Sequence, residues 1–103
     1  MPHATPLTED QRTVLLADHA AWSLVEGRDA LQRSFQGKNF THAFAFMSAV
    51  AIEAEKLNHH PEWSNVYKTV DVILTTHDTG GLSDLDQKMV AKIDLLAERL
   101  GMA

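Results

Sequence analysis

What most constrains this chain is a change of hydrophobic period at one point, where a long helical stripe gives way to strand alternation across His59-His60-Pro61. Before that point Phe40, Phe44, Met47, Ala51 and Ala54 recur at steps of three and four, and Ala43, Phe46 and Val50 widen the stripe. Such spacing places apolar side chains along one side of an α-helix. Pro61 stops it, because the residue before a proline is driven out of the α region. Beyond Trp63 the period becomes two: Val70, Val72 and Leu74 share one face, while Asp71, Ile73, Thr75 and His77 share the other. Val66 and Tyr67 precede a turn near Lys68, so the pattern predicts two antiparallel strands here.

The flanking segments complete the plan. Thr8 with Gln11 resembles a capping box, which opens a helix from about Glu9 to Ala21 carrying Val14, Leu15 and Leu16. Trp22, Leu24 and Glu26 predict a strand, broken by Gly27-Arg28-Asp29; Leu31, Arg33 and Phe35 predict a second, ended by Gly37-Lys38-Asn39. After Gly80-Gly81, Ser83 and Asp86 form another possible capping box, and Met89, Ile93, Leu96 and Leu100 mark the inner face of a last helix. Helix, two strands, helix, two strands, helix is the order of an α+β domain, with an antiparallel sheet and helices packed on one face. The length of 103 residues holds one such domain, over residues 8–103, behind a loose N-terminal tail of residues 1–7.

A net charge of -5, with Lys and Arg scattered, argues against nucleic acid or an anionic membrane as a partner. No stretch approaches the roughly 20 apolar residues of a membrane span. The N-terminus lacks the apolar run of a secretory signal, so a cytoplasmic location is expected, or a nuclear one if the source is eukaryotic.

With no cysteine in the chain, disulfides, thiolate nucleophiles and cysteine-based zinc sites are all excluded. Imidazole remains the best candidate for chemistry near neutral pH. His59 and His60 are neighbours, and on a regular helix neighbours point about 100° apart. Both can reach one small site only where the backbone leaves the helix, which Pro61 encourages. If the second hairpin folds back, His77 joins them, and three imidazoles around one pocket offer a proton donor, a proton acceptor and a polar anchor. His59 or His60 alone also has a plainer explanation, since an imidazole near a helix C-terminus interacts favourably with the helix dipole. A tris-histidine zinc site is less favoured, because adjacent residues are awkward chelators; no metal or other cofactor is expected. Trp63 either walls a flat ligand or packs in the core. Asp86 either orients a histidine or caps its helix. Glu55 and Lys56 read as a solvated helix face, and His3, His19 and His42 as surface residues without partners.

The run Glu55-Lys56-Leu57-Asn58-His59-His60-Pro61-Glu62-Trp63, then Asn65-Val66-Tyr67 and Thr76-His77, resembles the pterin-4a-carbinolamine dehydratase family, also known as the dimerisation cofactor of a homeodomain transcription factor. Glu26-Gly27-Arg28-Asp29-Ala30, Phe44-Ala45-Phe46-Met47 and Gly81-Leu82-Ser83 with Asp86 carry the likeness along nearly the whole chain. The resemblance implies a four-stranded antiparallel sheet with helices on one side. It implies dehydration of a 4a-hydroxytetrahydropterin to the quinonoid dihydropterin, recycled for aromatic amino acid hydroxylases. It also implies His59, His60 and His77 as catalytic histidines. Pro61, Thr76, Asp78 and Thr79 are then expected at the ligand, with Trp63 and Asp86 beside it. Asp78-Thr79-Gly80-Gly81 is richer in glycine than the family pattern, which bears on the shape of that loop. A homodimer or homotetramer is implied, with an aromatic amino acid hydroxylase as a possible partner. The alternative function is a protein-interaction module, using the apolar stripe of the last helix.

Overall fold

The computed structural model describes residues 4–103. His3 and the first part of the expected tail lie outside the described residues. The elements run α1 (Glu9–Asp18), β1 (Ser23–Leu24), β2 (Leu31–Gln36), α2 (Phe40–Leu57), β3 (Glu62–Val66), β4 (Thr69–Leu74), a short 3-10 turn (His77–Thr79) and α3 (Asp84–Leu100). The four strands form one antiparallel sheet in the order β1-β2-β4-β3. Both expected capping boxes are present, Thr8 with Gln11 and Ser83 with Asp86.

Alternation along the central strands decides which face the helices cover. Leu31, Phe35, Val70, Val72 and Leu74 are buried, whereas Gln32, Ser34 and Asp71 between them are exposed. Against the buried face pack Ala43, Phe46, Val50 and Ala54 of α2 and Met89, Val90, Ile93 and Ala97 of α3. Phe35 stands at the centre, its ring 4.8 Å from Phe46 and 6.2 Å edge-on from Trp22. Burying side chains of this size stabilises the fold by about 1.5–3 kcal/mol each, before the entropy of ordering is subtracted.

Several expectations are corrected. Of the main stripe expected on α2, Ala54 is buried and Met47 packs partly buried against the core, but Phe40, Phe44 and Ala51 point outward, and Ala43, Phe46 and Val50, expected only to widen it, form the rest of the buried face. Steps of three and four occur on both sides of so apolar a helix, and only contact with the sheet selects one. Leu100 at the end of α3 is likewise exposed, while Met89 and Ile93 are spent in the chain's own core. That removes them from the external face expected for self-association. α1 stops at Asp18 rather than Ala21, and the first strand shrinks to Ser23–Leu24. Trp22 leaves the strand pattern because its indole turns inward and donates to Asp94 at 2.8 Å.

The segment just before α1 is anchored. Leu7 is buried, its N–H donates to the Leu82 carbonyl, and Thr5 exchanges bonds with Asp84. Among residues 4–7, then, the expected loose tail is pinned across the start of α3. Among the described residues, no helix is long and apolar enough to cross a membrane.

Candidate active site

α2 ends at Asn58, which takes the left-handed conformation (φ 50°, ψ 41°) that asparagine tolerates better than most side chains. Its N–H and that of His59 fold back on the Ala54 carbonyl, turning the chain out of the helix before Pro61. The turn sends the two histidines different ways. His59 is 8% exposed; its Nε2 lies 2.6 Å from Asp86 Oδ1. His60 stands outside, its Nε2 2.5 Å from Glu55 Oε1, so Glu55 is solvated, as expected, and also a partner of His60.

Asp86 is wholly buried and has both expected jobs. Its Oδ2 accepts the Ser83 N–H at 2.9 Å, completing the cap, and the Thr76 hydroxyl at 2.7 Å. Its Oδ1 accepts from His59. A carboxylate at Nε2 selects the tautomer whose Nδ1 carries the lone pair, leaving that nitrogen as the proton-accepting end of His59.

His77 arrives from the other direction. β4 runs into Thr75 and Thr76, and paired backbone bonds between Thr76 and Gly81 (3.2 and 3.1 Å) close a tight loop around the 3-10 turn. Gly80 within it has φ 70°, where a side chain is strained. Gly81 has no room for one: a Cβ there would lie 1.9 Å from Asp29 Oδ2. The glycine richness of this stretch thus follows from a turn and a close approach. Asp29 is itself gripped by the Arg12 guanidinium and accepts the Leu82 N–H at 3.1 Å, and its carbonyl accepts from Thr75. The Arg12 hydrogen bonds hold the Asp29 carboxyl below the usual range against the opposing effect of burial.

The loop and the helix end together enclose an open hollow of about 260 Å³, lined by Asn58, His59, His60, Glu62, Thr75, Thr76, His77, Asp78 and Leu85. All three expected catalytic histidines line it, with Thr76 and Asp78. Pro61, Trp63, Thr79 and Asp86, also expected at or beside the ligand, are not among its lining residues. Pro61 shapes the turn, and Trp63 packs partly buried against the core. The Thr79 hydroxyl donates within its own loop to the Gly81 carbonyl at 2.7 Å.

Asn58, Glu62, Thr75 and Leu85 are lining residues that sequence reasoning missed. Glu62 had a signal: it alternates with Trp63, so it lies on the outward face beside the histidine pair. The Arg28 guanidinium grips it with two bonds of 2.9 Å, which, ahead of a smaller effect of His77, hold its carboxyl below the usual range.

His19 and His42 prove to be partnered. His19 Nδ1 lies 2.7 Å from Asp94. His42 accepts the Lys38 N–H at Nδ1 and donates from Nε2 to the Leu100 carbonyl, tying the start of α2 to the end of α3. A larger hollow of about 560 Å³ lies beside His19, Arg33 and Asp94. There His19, Trp22 and Arg33 all bond Asp94, so the charges are engaged with one another. The smaller hollow, with imidazoles facing it, is the better place for proton chemistry. Among the described residues, no group of three or more His, Asp or Glu side chains is arranged to hold a metal ion.

Residues 5–96 match the family model described as pterin 4 alpha carbinolamine dehydratase. A relative from Dinoroseobacter shibae is 63% identical over 78 residues, covering 76% of this chain and 80% of the relative. One from Rhodopseudomonas palustris strain HaA2 is 50% identical over 97 residues, covering 94% and 96%. Both carry names of the same dehydratase family. Among solved structures, a transcriptional coactivator/pterin dehydratase from Brucella melitensis superposes with a TM-score of 0.86 at 46% identity, over 90% of this chain and 99% of that one.

Proposed function

We infer the reaction from the fact that this chain belongs to the pterin 4 alpha carbinolamine dehydratase family: it removes water from a 4a-hydroxytetrahydropterin to give the quinonoid dihydropterin. The observation that supports this reading best is the shared hollow. Three imidazoles, two from the end of α2 and one from the loop after β4, line one open space, each beside a carboxylate.

The reaction needs one proton delivered and one removed. As the carbon–oxygen bond at C4a breaks, the departing hydroxyl takes a proton and leaves as water. The electron pair of the adjacent ring N–H bond becomes the new carbon–nitrogen double bond, and that proton goes to a base. Each placed acid or base typically contributes about 10²–10⁴-fold. His60 and His77 exchange these protons, and both have side chains open to solvent, 55% and 86% exposed, through which they reset. His59 is fixed by Asp86 and holds and polarises the hydroxyl. Thr76 and Asp78 contact the ligand from the rim, while Pro61, Trp63, Thr79 and Asp86 keep the walls in place.

Membership of the family supports a role in recycling the reduced pterin that aromatic amino acid hydroxylases consume, in the cytoplasm, with such a hydroxylase as the functional partner. Self-association is the expected state, as a dimer or tetramer. Phe40, Phe44 and Ile52 are 49%, 54% and 60% exposed and follow one another at steps of four and eight along α2, an apolar stripe that a second copy covers. The same stripe is what a coactivator-type interaction would use, the second reading here.

The test is dehydration of freshly generated 4a-hydroxypterin. His77→Ala and His60→Ala each lower the rate by about 10²-fold at neutral pH, with the circular dichroism spectrum unchanged. Wild-type rates in both variants would remove these residues from the chemistry.

A further inference from the structure

Two of the three imidazoles have a carboxylate within hydrogen-bond distance, but His77 does not. Its side chain is 86% exposed, and its Nε2 stands 3.9 Å from Glu62 Oε2, too close for an intervening water and too long for a hydrogen bond. An imidazole so placed is free to leave the hollow by rotating about its side-chain bonds. What distinguishes Glu62 is how firmly it is held. It opens β3, in register with Ile73 of β4, so its backbone belongs to the sheet. Its carboxylate takes both arms of the Arg28 fork, 2.9 Å each, from the turn between β1 and β2. Bidentate guanidinium–carboxylate pairs fix orientation as well as distance. Arg28 also borders a second hollow, of about 450 Å³, which shares Thr75, Thr76 and His77 with the first. Glu62 thus lines the first hollow and Arg28 the second, and His77 lines both.

We propose that Glu62, clamped by Arg28, is the positioning residue for His77, holding its imidazole toward the hollow during proton transfer, and that Arg28 acts on the reaction only through Glu62. This rests on the assignment of His77 to the chemistry made above. Glu62 then does for the exposed histidine what Asp86 does for the buried one, with Arg28 in the place that the Ser83 N–H and the Thr76 hydroxyl take for Asp86. Catalytic hydrogen bonds are commonly long in a ligand-free site and tighten once substrate is bound, and rotation of the Glu62 or His77 side chain is enough to close the gap. The Arg28 bonds keep Glu62 ionised and ready to accept.

The experiment is a double-mutant cycle on the intact protein, measuring kcat and KM with 4a-hydroxypterin. Glu62→Gln keeps the shape and removes the charge at an exposed site, so the protein folds. It is expected to lower kcat about 10-fold to 100-fold, as loss of an orienting partner does, with KM within about twofold. In a His77→Ala background the same change is expected to cost less than about twofold more, because the group it positions is gone. Arg28→Gln is expected to lower kcat severalfold alone and not at all on top of Glu62→Gln. The His77 ring resonances shift in Glu62→Gln, while those of His59 stay in place.

An unchanged kcat, losses that multiply in the double variant, or a raised KM with kcat intact would each overturn the proposal; the last would make Glu62 a direct contact for the substrate's amino-pyrimidine edge. A His77→Ala variant with wild-type kcat would instead remove the assignment of His77, and the proposal with it.

Discussion

Asp86 uses its two oxygens for two different tasks, and that division explains why a carboxylate is tolerated with no exposed surface. Oδ2 is satisfied by the Ser83 N–H and the Thr76 hydroxyl, and Oδ1 by His59. Asp86→Ala would leave these partners without an acceptor in a buried site, a loss of roughly 2–4 kcal/mol. Thermal unfolding of the variant checks this. Asp86→Asn keeps the size but offers His59 a different partner, so it is expected to cost activity more than stability. In the sequence, the cap is the simpler reading of Asp86, because three-residue spacing from Ser83 is all that a cap needs. Only the return of His59 from 27 positions away joins the two roles. His19 and His42 were illegible for the same reason: their partners, Asp94 and Leu100, lie 75 and 58 positions along the chain.

Asp29 makes a prediction in acid. Its carboxyl is held below its ordinary value of 3.8, first by the Arg12 hydrogen bonds. A depressed carboxylate contributes stability that is present above the ordinary value and lost as pH falls through the lowered one. The contribution of the Arg12–Asp29 pair is therefore expected to be complete at neutral pH and to fade below about 3.8. Asp29→Asn should flatten the dependence of stability on pH in that acid window; an unaltered slope would show that Asp29 is not held by Arg12 in solution.

At the scale of elements, the loop after β4 is the part most exposed to a single change. Gly81 lies so close to Asp29 that a methyl group displaces either the backbone or a carboxylate already gripped by Arg12 and the Leu82 N–H. Gly81→Ala is expected to cost about 1–3 kcal/mol and to loosen the loop carrying His77. A melting temperature equal to wild type would contradict this. Gly80→Ala meets open space and suffers only from φ 70°, so its cost should be smaller.

Order and type of the elements were readable because period and punctuation agree along most of the chain: the α2 stripe ends ahead of Pro61, and β4 alternates cleanly. The choice of buried stripe on α2 was not readable. Phe40 and Phe44 look more core-like than Ala43, yet the small residue lets the helix lie close to the sheet beside Phe46, and the rings of Phe40 and Phe44 are left outside. The first strand was overestimated because a buried tryptophan at its start mimics alternation.

For the whole molecule, the outward rings of α2 and the clustering of histidines at its other end separate two properties. Phe44→Glu is expected to reduce the assembled mass in light scattering, by placing charge where another copy packs, while the histidine hollow of each chain stays built. Unchanged mass would mean that the stripe is not the contact.

The account stands on imidazoles from two separate segments, the end of α2 and the loop after β4, working in one space. The most direct measurement is stopped-flow dehydration of freshly generated 4a-hydroxypterin, comparing wild type with a variant carrying His59→Gln, His60→Ala and His77→Ala together. The expected result is a folded variant whose rate falls to that of the substrate alone in buffer. A folded variant that keeps more than about a tenth of the wild-type rate would contradict it, since even one placed acid or base contributes about 10²-fold or more.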